Sequence, residues 1–277
     1  MLSIHTNYTS LLTQNNLNKT SGSMDQAMQR ISTGFRINSA SDDAAGLQIA
    51  TRLQSQSNGL TVAARNSEDA KSFLQTAEGA YDEMTNIAHR MKDLATQAAN
   101  GTNSQAEYDA MDAEYTELKA ELTNIQDNTE YGAGNKIFDG SNGAGTGLLQ
   151  AGMTFQIGSS STSTMALSAN VGDVDLSTTG GLTDQASAIA EMAVLDTLTG
   201  EIGEQRSILG ATVNRLDHTV TNLGNMRENT EAAKGRIMDT DYAVESSEMM
   251  KNQMLTQMSM SMLSQANGMS GMVMSLI

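Results

Sequence analysis

IATRLQSQSNGLTVAARNSEDAKSFLQTAEGAYDEMTNIAHRMKDLATQAANG, residues 49–101, decides the fold. Within it Ile49, Leu53, Leu60, Ala63, Ala70, Leu74, Ala77, Tyr81, Met84, Ala88, Met91, Ala95 and Ala98 recur three and four residues apart. That spacing lays one apolar stripe along one side of an α-helix, the pattern of helices that pack as coiled coils. Gln56 and Ser67 are the gaps in the stripe. At 1.5 Å per residue the stretch makes a rod of roughly 75 Å. Asn100-Gly101 is expected to end it, because glycine tolerates the left-handed backbone of a helix stop.

Two further stripes lie downstream. Tyr108, Met111, Tyr115, Leu118, Leu122 and Ile125 form the second, and Ser104 with Glu107 before it reads as a capping box. Leu195, Ile202, Leu209, Leu216 and Leu223 form the third at seven-residue intervals, with Val213 and Val220 at the alternate position. Three such rods bury one another's stripes, and none is stable alone. Between the second and third, about 132–182, the chain turns rich in Gly, Ser, Thr and Asn. Apolar alternation at Lys136–Phe138, Met153–Ile157 and Met165–Leu167 predicts β-hairpins there. The Gly-rich piece Gly140–Gly147 lacks the Lys-Ser/Thr ending of a phosphate loop and reads as a turn. The expected fold is mainly α, long coiled-coil rods with a small β-hairpin region.

Composition agrees with thin helical packing. Proline is absent from all 277 residues, where ordinary usage predicts roughly 14, so nothing kinks a long helix. Aromatic residues make up 4% and tryptophan is missing, which disfavours a wide globular core. No cysteine is present, which excludes disulfides, thiolate metal sites and a cysteine nucleophile. The net charge of −16 repels a phosphate backbone, so no nucleic-acid partner is expected. No purely apolar run reaches the length of about 18 residues needed for a membrane span. Before Lys19 the chain has neither a basic residue nor a compact apolar region, so a cleaved signal peptide is not expected.

The two ends differ from everything between them. Residues 1–18 carry no charge apart from a proton on His5, and residues 252–277 contain no Asp, Glu, Lys or Arg. Helical stripes persist nonetheless: Leu17, Met24, Met28, Ile31 and Phe35 near the start, and Leu255, Met258, Met262, Ala266, Met269, Val273 and Leu276 near the end. The helices of a lone soluble subunit normally carry charge on the outer face. An uncharged helix needs cover on most sides, and other copies of the same chain can supply it. Both ends are therefore expected to be disordered in the free subunit and to fold together on association. The alternative is an intramolecular hairpin of the two ends, which would still leave an uncharged outer face. The stripe residues, Ala266 apart, are the expected assembly residues, and methionine suits packing that must adapt to slightly different local geometries.

Several separated segments resemble one family. LLTQNNLNK at 11–19 and RISTGFRINSASDDAAG at 30–46 are similar to the N-terminal signatures of bacterial flagellins. RIMDTDYAVE at 236–245 and LSQANG at 263–268 resemble their C-terminal motif, and TNLGNM at 221–226 falls where the family has a similar stretch. The resemblance covers about 1–135 and 185–277, and the chain is most like the short lateral flagellins. It implies an inner coiled-coil domain from both ends, 1–43 with 236–277. A rod domain, 44–235, would hold three long helices and the variable hairpin region, with no further outer domains. It also implies a helical homopolymer, the extracellular flagellar filament of motility. The subunit would be exported unfolded through the flagellar type III apparatus on an N-terminal signal. Partners implied are an export chaperone bound to the C-terminal helix, the filament cap, hook-associated proteins and host Toll-like receptor 5.

Particular residues carry further expectations. Asp42, in the junction segment with Asp43 and Gly46, is expected to cap the helix that follows. Arg30 and Arg36 are placed to pair with carboxylates across an interface. For the receptor the resemblance points to Arg90, Leu94 and Glu114, with Leu94 partly exposed as an anchor, although His89 departs from the family's usual glutamine. His5, His89 and His218 sit in no metal-binding spacing, and no nucleophile has a partner base. No catalytic residue, metal or cofactor is therefore expected. The competing readings are a hook-filament junction protein and a secreted coiled-coil binding protein.

Overall fold

The computed structural model describes residues 6–132, 134–138, 147–149, 152–167, 174, 176 and 178–274, the side chains of 269–274 excepted. The chain is mainly α. Its elements in order are α1 (Tyr8–Thr33), α2 (Ala44–Ala98), α3 (Gln105–Asn128), β1 (Thr154–Gln156), β2 (Thr164–Ala166), α4 (Gln185–Met238) and α5 (Tyr242–Met274). They divide into two compact units. One comprises Met1–Ser57 with Glu228–Ile277, the other Asn58–Arg227.

In the second unit α2, α3 and α4 share one core. From Leu60 the expected α2 stripe is buried throughout, and so are Leu195, Ile202, Leu209, Leu216 and Leu223 of α4. Val213 and Val220 are only half-buried, because Leu198 and Thr212 occupy the buried alternate position. In the part of α2 that belongs to the first unit the register is shifted by one residue. Ala50 and Ser57 are buried there, whereas Ile49 and Gln56 are exposed. Ser57 tolerates burial because its hydroxyl donates to Glu231 at 2.7 Å.

The α2 stop works differently from expectation. Gly101 is not among the glycines with positive φ. Side chains cover the free carbonyls instead, with Asn103 Nδ2 on Gln97 O at 2.8 Å and Gln185 Nε2 on Ala99 O at 3.0 Å. The α3 capping box is present, with Glu107 accepting from the Ser104 amide at 2.6 Å.

Between α3 and α4, β1 and β2 pair antiparallel with Phe155 opposite Met165. Both side chains are buried against the helical core. At Lys136–Phe138 the expected hairpin is reduced to a one-bridge turn, with Tyr131 N donating to Asn135 O and Ile137 N to Thr129 O, both at 2.9 Å. Lys136 makes an isolated bridge to Glu130, and Ile137 and Phe138 insert into the core, where Phe138 meets Tyr81 edge to face. The turn expected over Gly140–Gly147 lies outside the described residues apart from Gly147.

Candidate assembly surface

The site is built by the first unit, where α1 and α5 pair antiparallel. At one end Asn7 starts α1, accepting from Ser10 N at 3.1 Å and donating to Ala266 O at 2.9 Å. Ser10 Oγ reaches Asn267 Oδ1 at 2.9 Å beside it. At the other end Arg30 meets Glu245 at 2.9 Å. Glu245 lies in the first turn of α5 and its side chain is 8% exposed. Each partner also has an atom with no hydrogen bond, Arg30 Nε and Glu245 Oε2. Arg30 is thus used within the chain, which corrects the expectation of a pair across an interface. Arg36 is used likewise, its guanidinium donating to Ile237 O at 3.0 Å.

The α1–α5 seam is polar for a coiled coil. Its half-buried or buried positions are Thr13, Leu17, Thr20, Met24, Ala27 and Ile31 on α1, and Met249, Asn252, Thr256, Ser259, Leu263 and Ala266 on α5. Apart from Met249 and Leu263, the large apolar side chains described on α5 point the other way. Met250, Met254, Leu255, Met258, Met260 and Met262 are all exposed, Met258 at 60%. An ordinary surface helix reverses this arrangement. Of the residues expected to serve assembly, Leu17, Met24 and Ile31 therefore lie in the seam, while Met28, Phe35, Leu255, Met258 and Met262 lie outside it. Met269 and Val273 fall on the α5 backbone, and Leu276 lies outside the described residues. Ala266, read as part of the same stripe, belongs to the inward register. The hairpin of the two ends is thus present, and its outer face is uncharged from residue 252 onward.

The loops joining these helices to α2 and α4 zip together. Gly34 adopts φ +75° and closes α1 by donating to Arg30 O at 2.8 Å. Arg36 N then donates to Met238 O at 2.6 Å and Thr240 N to Gly34 O at 3.0 Å, an antiparallel bridge centred on Phe35 and Asp239. Ile37 is buried beside it. Asp43, not Asp42, caps α2, its carboxylate accepting from Gly46 N at 2.8 Å. Asp42 faces backward into the loop and accepts from Asn38 N at 3.0 Å and Ser39 N at 2.9 Å. The Ser39 amide above all holds the Asp42 carboxyl below its ordinary pKa. Gly46 sits in a crowded place, where a Cβ would stand 2.5 Å from Asp43 Oδ2 and 2.7 Å from Ile37 Cδ1 and would force the capping carboxylate and the buried Ile37 side chain to shift. Sequence reasoning missed the Asp43 cap, the Phe35–Asp239 bridge and the Glu245 partner. No signal in the sequence separated Asp43 from its neighbour Asp42 as the cap.

In the second unit Arg90 and Glu114 are joined, the guanidinium reaching Oε1 at 2.6 and 3.0 Å. Leu94 is 3% exposed, which corrects the expectation of a partly exposed anchor. It packs in the core beside Met91 and Ala95, where it has no free face. His89 and His218 are exposed, and His5 lies outside the described residues. Among the described residues no group of His, Cys, Asp and Glu is placed to hold a metal. No described helix is long and apolar enough to cross a membrane.

Two family models match the chain. The bacterial flagellin N-terminal helical region covers residues 4–143, and the bacterial flagellin C-terminal helical region covers residues 192–277. Polar flagellin F of Vibrio parahaemolyticus is 34% identical over 96% of both chains. A flagellin of Halalkalibacterium halodurans is 38% identical over 87% of both. Among solved structures, Bacillus cereus flagellin is similar at 37% identity and a TM-score of 0.51, over 57% of this chain and 88% of that one. A putative flagellar hook-associated protein from Vibrio parahaemolyticus shares the fold, at 15% identity and a TM-score of 0.59, over 72% of this chain and all of that one.

Proposed function

Because the chain belongs to the bacterial flagellin family, a family of structural filament subunits and not of enzymes, we propose that it polymerises through the outward apolar face of its paired ends. The flagellar filament is extracellular, and its subunits bind copies of themselves. One observation carries the proposal: α5 turns Met254, Leu255, Met258 and Met262 outward and keeps Asn252, Thr256 and Ser259 for its own partner helix. Burying a Leu or Met side chain contributes roughly 1.5–3 kcal/mol before entropy is subtracted. Several such residues per subunit, repeated in a head-to-tail interface that never closes, hold an open helix together. The domain division proposed is an inner part of 1–43 with 236–277 and a rod of 44–235. The helix pairing of α1 with α5 supports it.

The finer partners belong to the same proposal. A seam in which Thr13, Thr20, Asn252, Thr256 and Ser259 interrupt the apolar contacts between α1 and α5 resists opening weakly, which suits a subunit that crosses the flagellar type III apparatus unfolded. An export chaperone that cradles the apolar face of α5 would keep it from premature association. Distal-tip addition places the chain under the filament cap and next to hook-associated proteins. For host Toll-like receptor 5, the exposed Arg90–Glu114 pair offers the contact, with Leu94 acting from beneath by holding α2 in place.

Seeded polymerisation of Leu255→Glu, Met258→Glu and Met262→Glu tests the reading. Each substitution should raise the critical concentration by about ten- to a hundredfold, while circular dichroism of the α2–α4 rod stays unchanged. Normal polymerisation of all three would overturn it. Arg90→Ala with an unchanged receptor response would reject the receptor contact.

A further inference from the structure

Methionine is common in this chain, 20 of 277 residues, and cysteine and tryptophan are absent. Mild oxidants that attack thiols first find none here, so the thioethers are the most readily oxidised side chains. Burial then sorts the methionines. Met84, Met91, Met111 and Met165 are shielded in the second unit's core. Among the described residues, the exposed ones are Met28, Met226, Met250, Met254, Met258, Met260 and Met262, five of them within thirteen residues of α5. Four of those five, Met250, Met254, Met258 and Met262, follow one another at intervals of four. That spacing makes a single ridge, about 18 Å long on a helix. The ridge contains Met258 and Met262, which the proposed assembly face uses, and it avoids the α1–α5 seam.

We propose that this ridge is an oxidation-controlled gate on polymerisation, a modification site for hydroperoxides; the inference rests on the assembly reading above. A sulfur lone pair attacks the distal oxygen of hydrogen peroxide and the O–O bond breaks. The thioether becomes a sulfoxide, oxidised by two electrons, while the peroxide is reduced to water. The sulfoxide oxygen is a strong hydrogen-bond acceptor, and burying it against an apolar neighbour without a donor is costly. Polymerisation is therefore blocked while the second unit, whose core methionines are shielded, remains intact. Subunits already in a filament have the ridge covered and are protected. A sulfoxide reductase reverses the change, taking two electrons from a dithiol, which closes to a disulfide and releases water.

The test uses full-length subunit obtained by depolymerising filaments. It is exposed to dilute hydrogen peroxide, cleared with catalase and seeded. Peptide mass analysis should place oxygen on 250–262 before the core methionines Met84, Met91, Met111 and Met165, and the critical concentration should rise at least about tenfold. The two methionine sulfoxide reductase types with dithiothreitol should restore it. The fourfold variant Met250→Leu, Met254→Leu, Met258→Leu, Met262→Leu should polymerise and resist peroxide, although Met28, Met226 and Met260 stay oxidisable in it. Should that variant not polymerise, Met254→Gln with Met258→Gln, which puts a polar amide in place of the sulfoxide, must reproduce the loss without oxidant. Unchanged polymerisation of wild-type subunit oxidised on the ridge, or of that glutamine pair, overturns the proposal. So does a leucine variant that peroxide disables as fully as wild type. Failure of untreated wild type to polymerise would instead sink the assembly reading.

Discussion

Arg30 and Glu245, 215 residues apart in the chain, meet at 2.9 Å and tie the end of α1 to the first turn of α5. The carboxylate is nearly buried and the guanidinium three-quarters so. Removing one partner strands the other charge. Arg30→Ala should destabilise the assembled subunit by about 2–3 kcal/mol, read as a lower dissociation temperature of filaments. The double variant Arg30→Ala, Glu245→Ala should cost less than the sum of the two single ones. Strict additivity in that cycle would show that the pair contributes nothing.

Asp42 predicts how the junction responds to acid. Its carboxyl is held below its ordinary pKa chiefly by the Ser39 amide, then by the Asn38 amide. A depressed folded value means that the contribution is present above the ordinary carboxylate range and is lost as pH falls through the lowered one. Protection of the Asn38 and Ser39 amides in assembled filaments should therefore fall on acidification. Asp42→Asn should weaken it at neutral pH to the level wild type shows in acid and so remove the pH dependence, and a retained dependence would point to another group.

Gly46 and Gly22 should respond oppositely to alanine. At Gly46 a Cβ collides with Asp43 and Ile37, so Gly46→Ala should cost about 1–3 kcal/mol. At Gly22, inside α1, a Cβ meets nothing within 4 Å, and Gly22→Ala should strengthen the helix by about 0.5–1 kcal/mol. Filament dissociation temperatures measure both, and equal effects would refute the junction geometry.

Tyr115 and Glu191 form a buried polar contact of the rod. The hydroxyl donates to Oε1 at 2.5 Å, and Gly180 N donates to Oε2 at 2.9 Å. Burial first, then the Glu191 hydrogen bond and charge, pushes the Tyr115 phenol far above its ordinary pKa. A raised value gives stability that is complete below the ordinary phenol range and is lost as pH rises past it. Absorbance titration should leave Tyr115 neutral until alkaline unfolding. Glu191→Ala, which strands the hydroxyl and the Gly180 amide, should cost about 2–4 kcal/mol.

The rods were legible because each stripe is long enough to survive a few gaps, as in Leu195 to Leu223, where every seventh residue is buried. The ends were only half legible. Leu255, Met258 and Met262 stood out as apolar, but the inward register of Asn252, Thr256 and Ser259 did not, because hydrophobic periodicity is blind to the polar members of a seam. The same blindness assigned Ala266 to the wrong face. At the junction two adjacent aspartates offered equal capping chemistry, and only the path of the backbone chose Asp43. Leu94 looked peripheral from α2 alone. Packing against α3 and α4 widens the buried sector of α2 beyond one stripe and takes Leu94 in.

Assembly as proposed requires that the seam between the two ends be too weak to hold them and that neighbouring copies supply the rest. Amide hydrogen exchange on the free subunit and on the filament tests it most directly. Residues 8–33 and 242–268 should exchange rapidly in the free subunit and at least about a hundredfold more slowly once assembled. Slow exchange of those residues before assembly, equal to that in the filament, would contradict it.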